Sequence, residues 1–211
     1  MSIKFNNSPS SRLTPSTIEC TQFYTNASSP IALSSMKRYS SMYEMKKYLG
    51  KDGLVIQQWL PNRISVASTW SLLYSLDQHG ASLNTLYRKC FNNGPCLLVI
   101  RDSQDEVFGA YLSEGVHIDT SCYGTGECFL WKQNKSTKQV DVYHWTMLND
   151  YLIYGDQDFF AIGGGQGCFG LWLHSDLTHG YSQPCLTFNN PMLSKNPSFE
   201  CIELEIWDFQ F

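Results

Sequence analysis

Ala161-Ile162-Gly163-Gly164-Gly165-Gln166-Gly167-Cys168-Phe169-Gly170-Leu171-Trp172 places five glycines within eight residues, with apolar sequence on both sides. Gly165-x-Gly167-x-x-Gly170 has the spacing of a dinucleotide-binding loop. Such a loop needs a strand before it and, after it, a helix whose N-terminus faces the pyrophosphate. Here residues 171–180 read as strand and then turn, which leaves the glycines a structural task. They let backbones approach closely, or take positive φ, between two core strands. The expectation is a close-packed crossing in the middle of a sandwich. Gly167→Val and Gly170→Val should then both destabilise it by pushing a side chain against backbone.

The sequence around this stretch agrees. Apolar runs recur at 97–100, 107–112, 128–132, 140–145, 151–154, 159–162 and 168–173, separated by turn residues. The first two flank the polar 101–106 and predict a β-hairpin. At 202–207, Ile202, Leu204 and Ile206 alternate with Glu203 and Glu205, the period of a strand with one face in water. No ten-residue helix is predicted after Gly94. Before it, 70–76 is a strand candidate with Trp70, Leu72, Tyr74 and Leu76 on one face, broken by Gly80. Ser82 then caps a helix with the stripe Leu83, Leu86, Tyr87 and Cys90, ended by Gly94-Pro95. Short helices are also expected at 39–49, with Lys46 and Lys47 in the last turn, and at 54–60, capped by Asp52 and stopped by Pro61. Residues 1–35 read as a mobile Ser/Thr/Asn-rich tail with a short docked segment at 18–24, and 36–211 as one domain. Helices first and short strands afterwards predict a mainly β member of the α+β class, a two-sheet antiparallel sandwich flanked by short helices.

Composition excludes several classes of function. Aromatics make up 14% and charged residues only 16% of 211 residues, against about 25% charged in average proteins. Such a chain should fold and bury its aromatic rings. With net charge −4 and no Lys/Arg run longer than Lys46-Lys47, it lacks the footprint of a nucleic-acid binder. No apolar run of about 18 residues predicts membrane insertion. The N-terminus has no apolar core of a secretion signal, so a cytoplasmic location is expected. Residues 1–18 carry Lys4, Arg12, many Ser and Thr and no acid. A mitochondrial transit peptide shares that composition, although it fits a plain tail as well.

Candidate chemistry is sparse. None of the eight cysteines forms a C-x-x-C pair, so zinc-ribbon and thioredoxin motifs are absent and no metal is expected. Cys122 and Cys128 bracket a Gly-containing loop and are the candidates for a thiol-based antioxidant enzyme, against a reading as half-buried thiols. Glu127, alone in Gly124-Thr125-Gly126-Glu127-Cys128, is expected to staple backbone N–H groups rather than face a ligand. His174-x-Asp176-x-x-His179 has two imidazoles and a carboxylate, read as a polar turn in preference to a metal site. The polar loops holding Asp102, Asp105 and Glu106, then Glu114 and His117, then His174, Asp176 and His179, are the candidate partner-binding surfaces, since loops on a rigid sandwich carry recognition.

Several blocks together resemble the TLDc domain of oxidation resistance proteins. They include Trp70-Ser71-Leu72-Leu73-Tyr74-Ser75, Ser82-Leu83-Asn84-Thr85-Leu86-Tyr87, Tyr123-Gly124-Thr125-Gly126-Glu127-Cys128-Phe129-Leu130, the glycine stretch and Ile202-Glu203-Leu204-Glu205-Ile206-Trp207. They span residues 52–208. The structural motif of the resemblance is Gly124, Gly126, Glu127, Gly163, Gly164, Gly165, Gly167 and Gly170. The resemblance implies the sandwich read above and protection against oxidative damage with no agreed catalytic set and no cofactor. It also implies a protein partner, the cytosolic sector of the vacuolar-type proton-pumping ATPase, whose assembly such proteins influence.

Overall fold

Leu97, Leu98, Val99 and Ile100 form an unbroken apolar run, which a strand can hold only where both its faces are covered. The computed structural model describes residues 54–211 and covers both. The expected tail at 1–35, the segment 18–24, the helix at 39–49 and the Asp52 cap lie outside the described residues. Among the described residues four short helices, α1 (Leu54–Gln57), α2 (Asn62–Ser65), α3 (Leu76–His79) and α4 (Leu83–Cys90), accompany the strands. The strands are β1 (Thr69–Ser75), β2 (Cys96–Asp102), β3 (Val107–Leu112), β4 (Phe129–Gln133), β5 (Val140–His144), β6 (Ile153–Gly155), β7 (Phe159–Gly165), β8 (Cys168–His174), β9 (His179–Tyr181) and β10 (Ser198–Gln210). Among the described residues no helix is long and apolar enough to cross a membrane.

All pairings are antiparallel. One sheet runs β5-β4-β3-β2-β10 with β1 also on β10, and the other runs β10-β9-β8-β7-β6. The long strand β10 therefore belongs to both. Its start, Ser198 to Glu200, pairs with β9, and from Cys201 to Asp208 it pairs with β2. A register shift between Cys201 and Glu203 marks the changeover, a bulge at the corner where a strand switches sheets.

Two apolar clusters follow from this arrangement. Leu98, Ile100, Phe108, Leu130, Leu204 and Ile206 of the first sheet pack with Phe160, Ile162, Leu171 and Leu173 of the second. The predicted stripe of α4, Leu83, Leu86, Tyr87 and Cys90, joins them, and the Ser82 hydroxyl accepts the Thr85 N–H at 3.3 Å as the cap requires. The alternate residues Leu97, Val99, Tyr111, Trp131, Trp207 and Phe209 face the other way, against Ile56 and Ile64 of α1 and α2. Each large apolar side chain buried there adds about 1.5–3 kcal/mol, so these short helices hold the outer face of the sheet out of water.

Four readings of the sequence change. Trp70 and Leu72 pack in the outer cluster but Tyr74 and Leu76 in the inner one. A register shift between Leu72 and Tyr74 turns the strand over, and Leu76 opens α3. In β10 the acids do not face open water. Glu203 accepts from Arg101 Nε at 3.0 Å, Glu205 accepts from the Trp207 indole N–H at 3.0 Å, and Trp207 and Phe209 share their side of the strand under cover. The expected helix at 54–60 stops at Gln57, and Pro61 instead precedes α2. The stretch read as strand and then turn at 171–180 is strand to His174, as expected, but its turn runs into a further three-residue strand, β9.

The glycine stretch is a β-hairpin. β7 and β8 pair through Gly165 and Cys168, leaving Gln166 and Gly167 as a two-residue turn with φ of 56° and 77°. Positive φ at both positions is the type I′ pattern that matches strand twist. Strand–turn–strand replaces the strand–loop–helix that a dinucleotide site needs. The two glycines singled out for mutation have different tasks. A Cβ at Gly170 would lie 2.6 Å from Leu130 Cδ1 in the opposite sheet and 3.0 Å from Cys185 Sγ, which is the expected close packing. A Cβ at Gly167 would meet nothing within 4 Å, so the expected clash there does not exist and only its φ demands glycine.

We therefore expect Gly170→Val to cost about 2–3 kcal/mol by overpacking and Gly167→Ala about 1–2 kcal/mol by backbone strain, both measured by urea unfolding. Gly167→Asn, a residue that tolerates positive φ, should recover most of the loss. A neutral Gly170→Val would refute the close contact between the sheets.

Candidate functional site

In the first candidate loop two of the three acids prove to be interior. Asp102 is fully buried, its Oδ1 accepting the N–H groups of Gln104 at 2.8 Å and Glu106 at 2.9 Å, its Oδ2 the Ser194 hydroxyl at 2.5 Å. Glu106 is also buried and meets Lys132 Nζ at 3.2 Å. Both acids fasten the hairpin to the 194–195 segment and are withdrawn from any partner. Asp105 alone of the three is exposed, in the left-handed conformation at φ 58° and paired with Arg101 at 3.1 Å.

In the second loop Glu114 is exposed, whereas His117 is half-buried with its ring stacked on Tyr123, centroids 4.0 Å apart. The Tyr123 hydroxyl accepts the His117 N–H and donates to the His117 carbonyl, both at 3.0 Å. His117 Nδ1 lies 2.8 Å from the Gly115 carbonyl, so its polar atoms serve the loop itself.

The loop before β4 brings Gly124, Gly126, Glu127, Cys122 and Cys128 together. Gly126 lies against the Trp145 ring and Gly124 takes φ 96° beside Ile153. Glu127 staples a different group from the one expected. Both its carboxylate oxygens accept from the Arg63 guanidinium, tying α2 to this loop over 64 residues of chain. Cys128 is buried, in contact with the Ser113 hydroxyl at 3.3 Å. Burial pushes its thiol up despite the bonds from Ser113, and burial likewise raises Cys122. A thiol nucleophile needs the opposite shift, from a cation, a base or a helix N-terminus. Cys128 is packed in the inner cluster and Cys122 is half-buried.

The third loop, between β8 and β9, is a built polar turn. Asp176 Oδ1 accepts the N–H groups of Thr178 at 2.8 Å and His179 at 3.1 Å. Its Oδ2 sits 3.0 Å from His174 Nδ1 and 2.9 Å from His179 Nδ1. Burial alone would raise this carboxyl, but the bonds from His179 and Thr178 outweigh it and hold it down at about 2. Among the described residues no group of three His, Cys, Asp or Glu is arranged to hold a metal ion.

A fourth loop, absent from the sequence-derived candidates, spans 145–151. Thr187 Oγ1 donates to Asn149 Oδ1 at 2.7 Å and accepts the Gly164 N–H at 2.8 Å, while Asn149 Nδ2 donates to the Gly164 carbonyl at 3.3 Å. The Trp145 indole N–H donates to the Asn149 carbonyl at 2.7 Å, and the Thr146 hydroxyl to the Leu186 carbonyl at 2.7 Å. Gly164 and Gly165 thus support this loop: Gly164 lies against Tyr151, and Gly165 beside Leu186 and Asn149, while Gly163 packs on Phe188 and Cys185. The loop presents Met147 and Leu148 to solvent. Two adjacent apolar residues followed by Asn149-Asp150 were the available sequence signal.

The family model of the TLDc domain matches residues 51–210. This chain belongs to the TLDc domain family. Among curated relatives it is 45% identical over 152 residues to "Nuclear receptor coactivator 7" of Mus musculus, covering 72% of this chain and 16% of that protein. "Oxidation resistance protein 1" of Xenopus tropicalis is 45% identical over 152 residues, covering 72% and 17%, and that of Homo sapiens 43% identical with the same coverage. The chain thus spans about a sixth of the length of these relatives, the part that is the TLDc domain.

The Asp176 turn of this TLDc domain gives a pH test. A carboxyl held at about 2 when folded and near 3.9 when unfolded stabilises the fold above about pH 4. That contribution is lost as pH falls from about 4 towards 2. We expect the Asp176 carboxyl carbon to titrate near 2 by NMR, and Asp176→Asn to flatten the stability profile in that window. A midpoint near 4 would show that the imidazole and backbone bonds do not hold the carboxylate.

Proposed function

We propose that this TLDc domain is a non-enzymatic interaction module that protects against oxidative damage by binding the cytosolic sector of the vacuolar-type proton-pumping ATPase and influencing its assembly. The relatives named for oxidation resistance support the first part at the level of the shared domain. The observation that carries the module reading is the use made of the reactive side chains. Asp102, Glu106 and Glu127 are fasteners, His117 and Asp176 serve their own loops, and the half-buried Cys122 and buried Cys128 are thiols that burial pushes up in pKa. Each of these groups is engaged in holding the sandwich and its loops. What the domain offers outward is a set of loops on a rigid frame, the usual architecture of recognition. The reading requires a cytoplasmic location, on the side of the membrane where that sector lies.

Purified protein should co-sediment saturably with the isolated cytosolic sector and change the fraction of sector bound to membranes when added to vesicles carrying the intact pump. Peroxide consumption by the same preparation should equal that of the Cys122→Ser and Cys128→Ser variants. Lack of saturable binding, with and without oxidant, would refute the pump assignment. Peroxide turnover lost in either variant would establish a thiol enzyme instead.

A further inference from the structure

We infer that the outward face of the second sheet, centred on Phe159, is a docking surface for an arginine-bearing segment of a protein partner. The inference stands apart from the pump reading and does not depend on it. The first sheet buries its outer side against α1 and α2, whereas Tyr154, Phe159, Phe169 and Trp172 of the second belong to neither apolar cluster. All four are half-buried. The Phe159 ring lies 5.6 Å from that of Tyr154, 5.9 Å from Trp172 and 6.1 Å from Phe169, so the four rings form one continuous surface.

Strand register assembles these rings. Tyr154, Ala161, Trp172 and Tyr181 stand opposite one another in turn across β6, β7, β8 and β9, which places their side chains on one face. Phe159, two residues before Ala161, shares that face and meets both the Tyr154 and Trp172 rings. Scattered exposed apolar residues are ordinary on a protein surface, but contiguous aromatic rings are the material of interface centres. Held by four strands, they lose little conformational entropy on docking.

The border of the face selects its occupant. Asp156 and Asp158 lie in the β6–β7 turn that leads into Phe159, and the Asp156 N–H donates to the Phe159 carbonyl at 2.9 Å. His174, from which the Asp176 turn begins, is the register partner of Phe159, so both turns close the same end of the sheet. On the far side Glu200 stands opposite His179 of β9. Asp158 and Glu200 are exposed and Asp156 is half-buried. Among the described residues none of these three enters an ion pair. The stretch between Lys138 and Lys195, which holds β6 to β9, has neither lysine nor arginine. Rings bordered by carboxylates attract a cation. A guanidinium satisfies both, because its plane stacks on a ring while its N–H fork reaches a carboxylate. Nucleic acid and acidic lipid would be repelled, and a second copy would bring the same carboxylates face to face.

The test follows backbone and indole N–H shifts of the full chain by NMR while the peptide acetyl-Gly-Arg-Gly-Arg-Gly-amide is titrated in. Parallel titrations use the same peptide with lysine, or with citrulline as the uncharged isostere, in place of arginine. We expect saturable shifts centred on 154–161 and 168–174. Binding should be about tenfold weaker for citrulline and a few-fold weaker for lysine. Asp156→Asn/Asp158→Asn keeps the side-chain oxygens of the turn; it should bind several-fold more weakly at unchanged Tm and with a flatter salt dependence. Phe159→Leu, which keeps apolar bulk without the ring, should also bind several-fold more weakly. Phe211→Asp, which removes an exposed apolar residue elsewhere, should bind like wild type. Equal binding of the arginine and citrulline peptides, or no saturable shift on this face, would overturn the inference. Shifts of the face that grow with protein concentration alone would overturn it in favour of a second copy. Contacts from residues 1–53 to these rings that the peptide does not displace would overturn it in favour of the chain's own N-terminal segment.

Discussion

Strand β10 has to satisfy two sheets with one backbone, and the rest of the domain is arranged around that constraint. Its first residues complete the edge of β9 and the following ones pair with β2, with a bulge between them. Because it turns the corner, the two sheets face each other and the inner cluster has walls on both sides. The same strand carries Leu204 and Ile206 inward and Trp207 and Phe209 outward. A strand with large apolar groups on both faces cannot lie on a surface. The outer helices are therefore as much a requirement of β10 and its neighbour β2 as they are products of their own sequence.

Charged residues follow the same logic. Arg63 with Glu127 and Lys132 with Glu106 sit where helices or loops must be pinned to the sheets. Exposed ion pairs contribute little, about 0–1 kcal/mol each, and the Arg63–Glu127 pair is partly exposed. Its effect is better described as choosing where α2 lies than as stabilising the whole. Asp102 is different, because a buried carboxylate with three donors leaves its neighbours unpaired if removed.

Local pattern carried the parts of the fold that depend on local pattern. The stripe of α4 and its Ser82 cap were readable because each residue needed only its own turn of helix. The hairpin of β2 and β3 was readable for the same reason. What could not be read depends on chain that returns from far away. Asp102 and Glu106 look like solvent-facing turn residues until Ser194 and Lys195 arrive over them. The reversal of β1 is a one-residue register slip that no composition marks. Glu127 was correctly read as a staple, but its partner Arg63 was invisible at that distance in sequence. The TLDc resemblance, by contrast, was legible because it rests on ordered blocks spread through the domain, and the family match covers the same span. Left-handed φ at Met147 is a tertiary imposition on a residue that would not choose it, which is why the conformation of the 145–151 loop escaped the sequence reading.

The position of β10 in the pairing scheme has a kinetic consequence. Thr69 meets Gln210 and Cys96 meets Asp208, so the contacts that close the sandwich join residues more than a hundred positions apart. Loop closure on that scale is entropically costly and slows the search for the native pairing. A chain emerging from the ribosome completes β2 to β8 as neighbouring hairpins, yet β2 has no partner on its second edge until residues 198–210 are free. Until then its apolar edge is open, and the nascent domain resembles an unzipped sheet whose last strand is also its clasp.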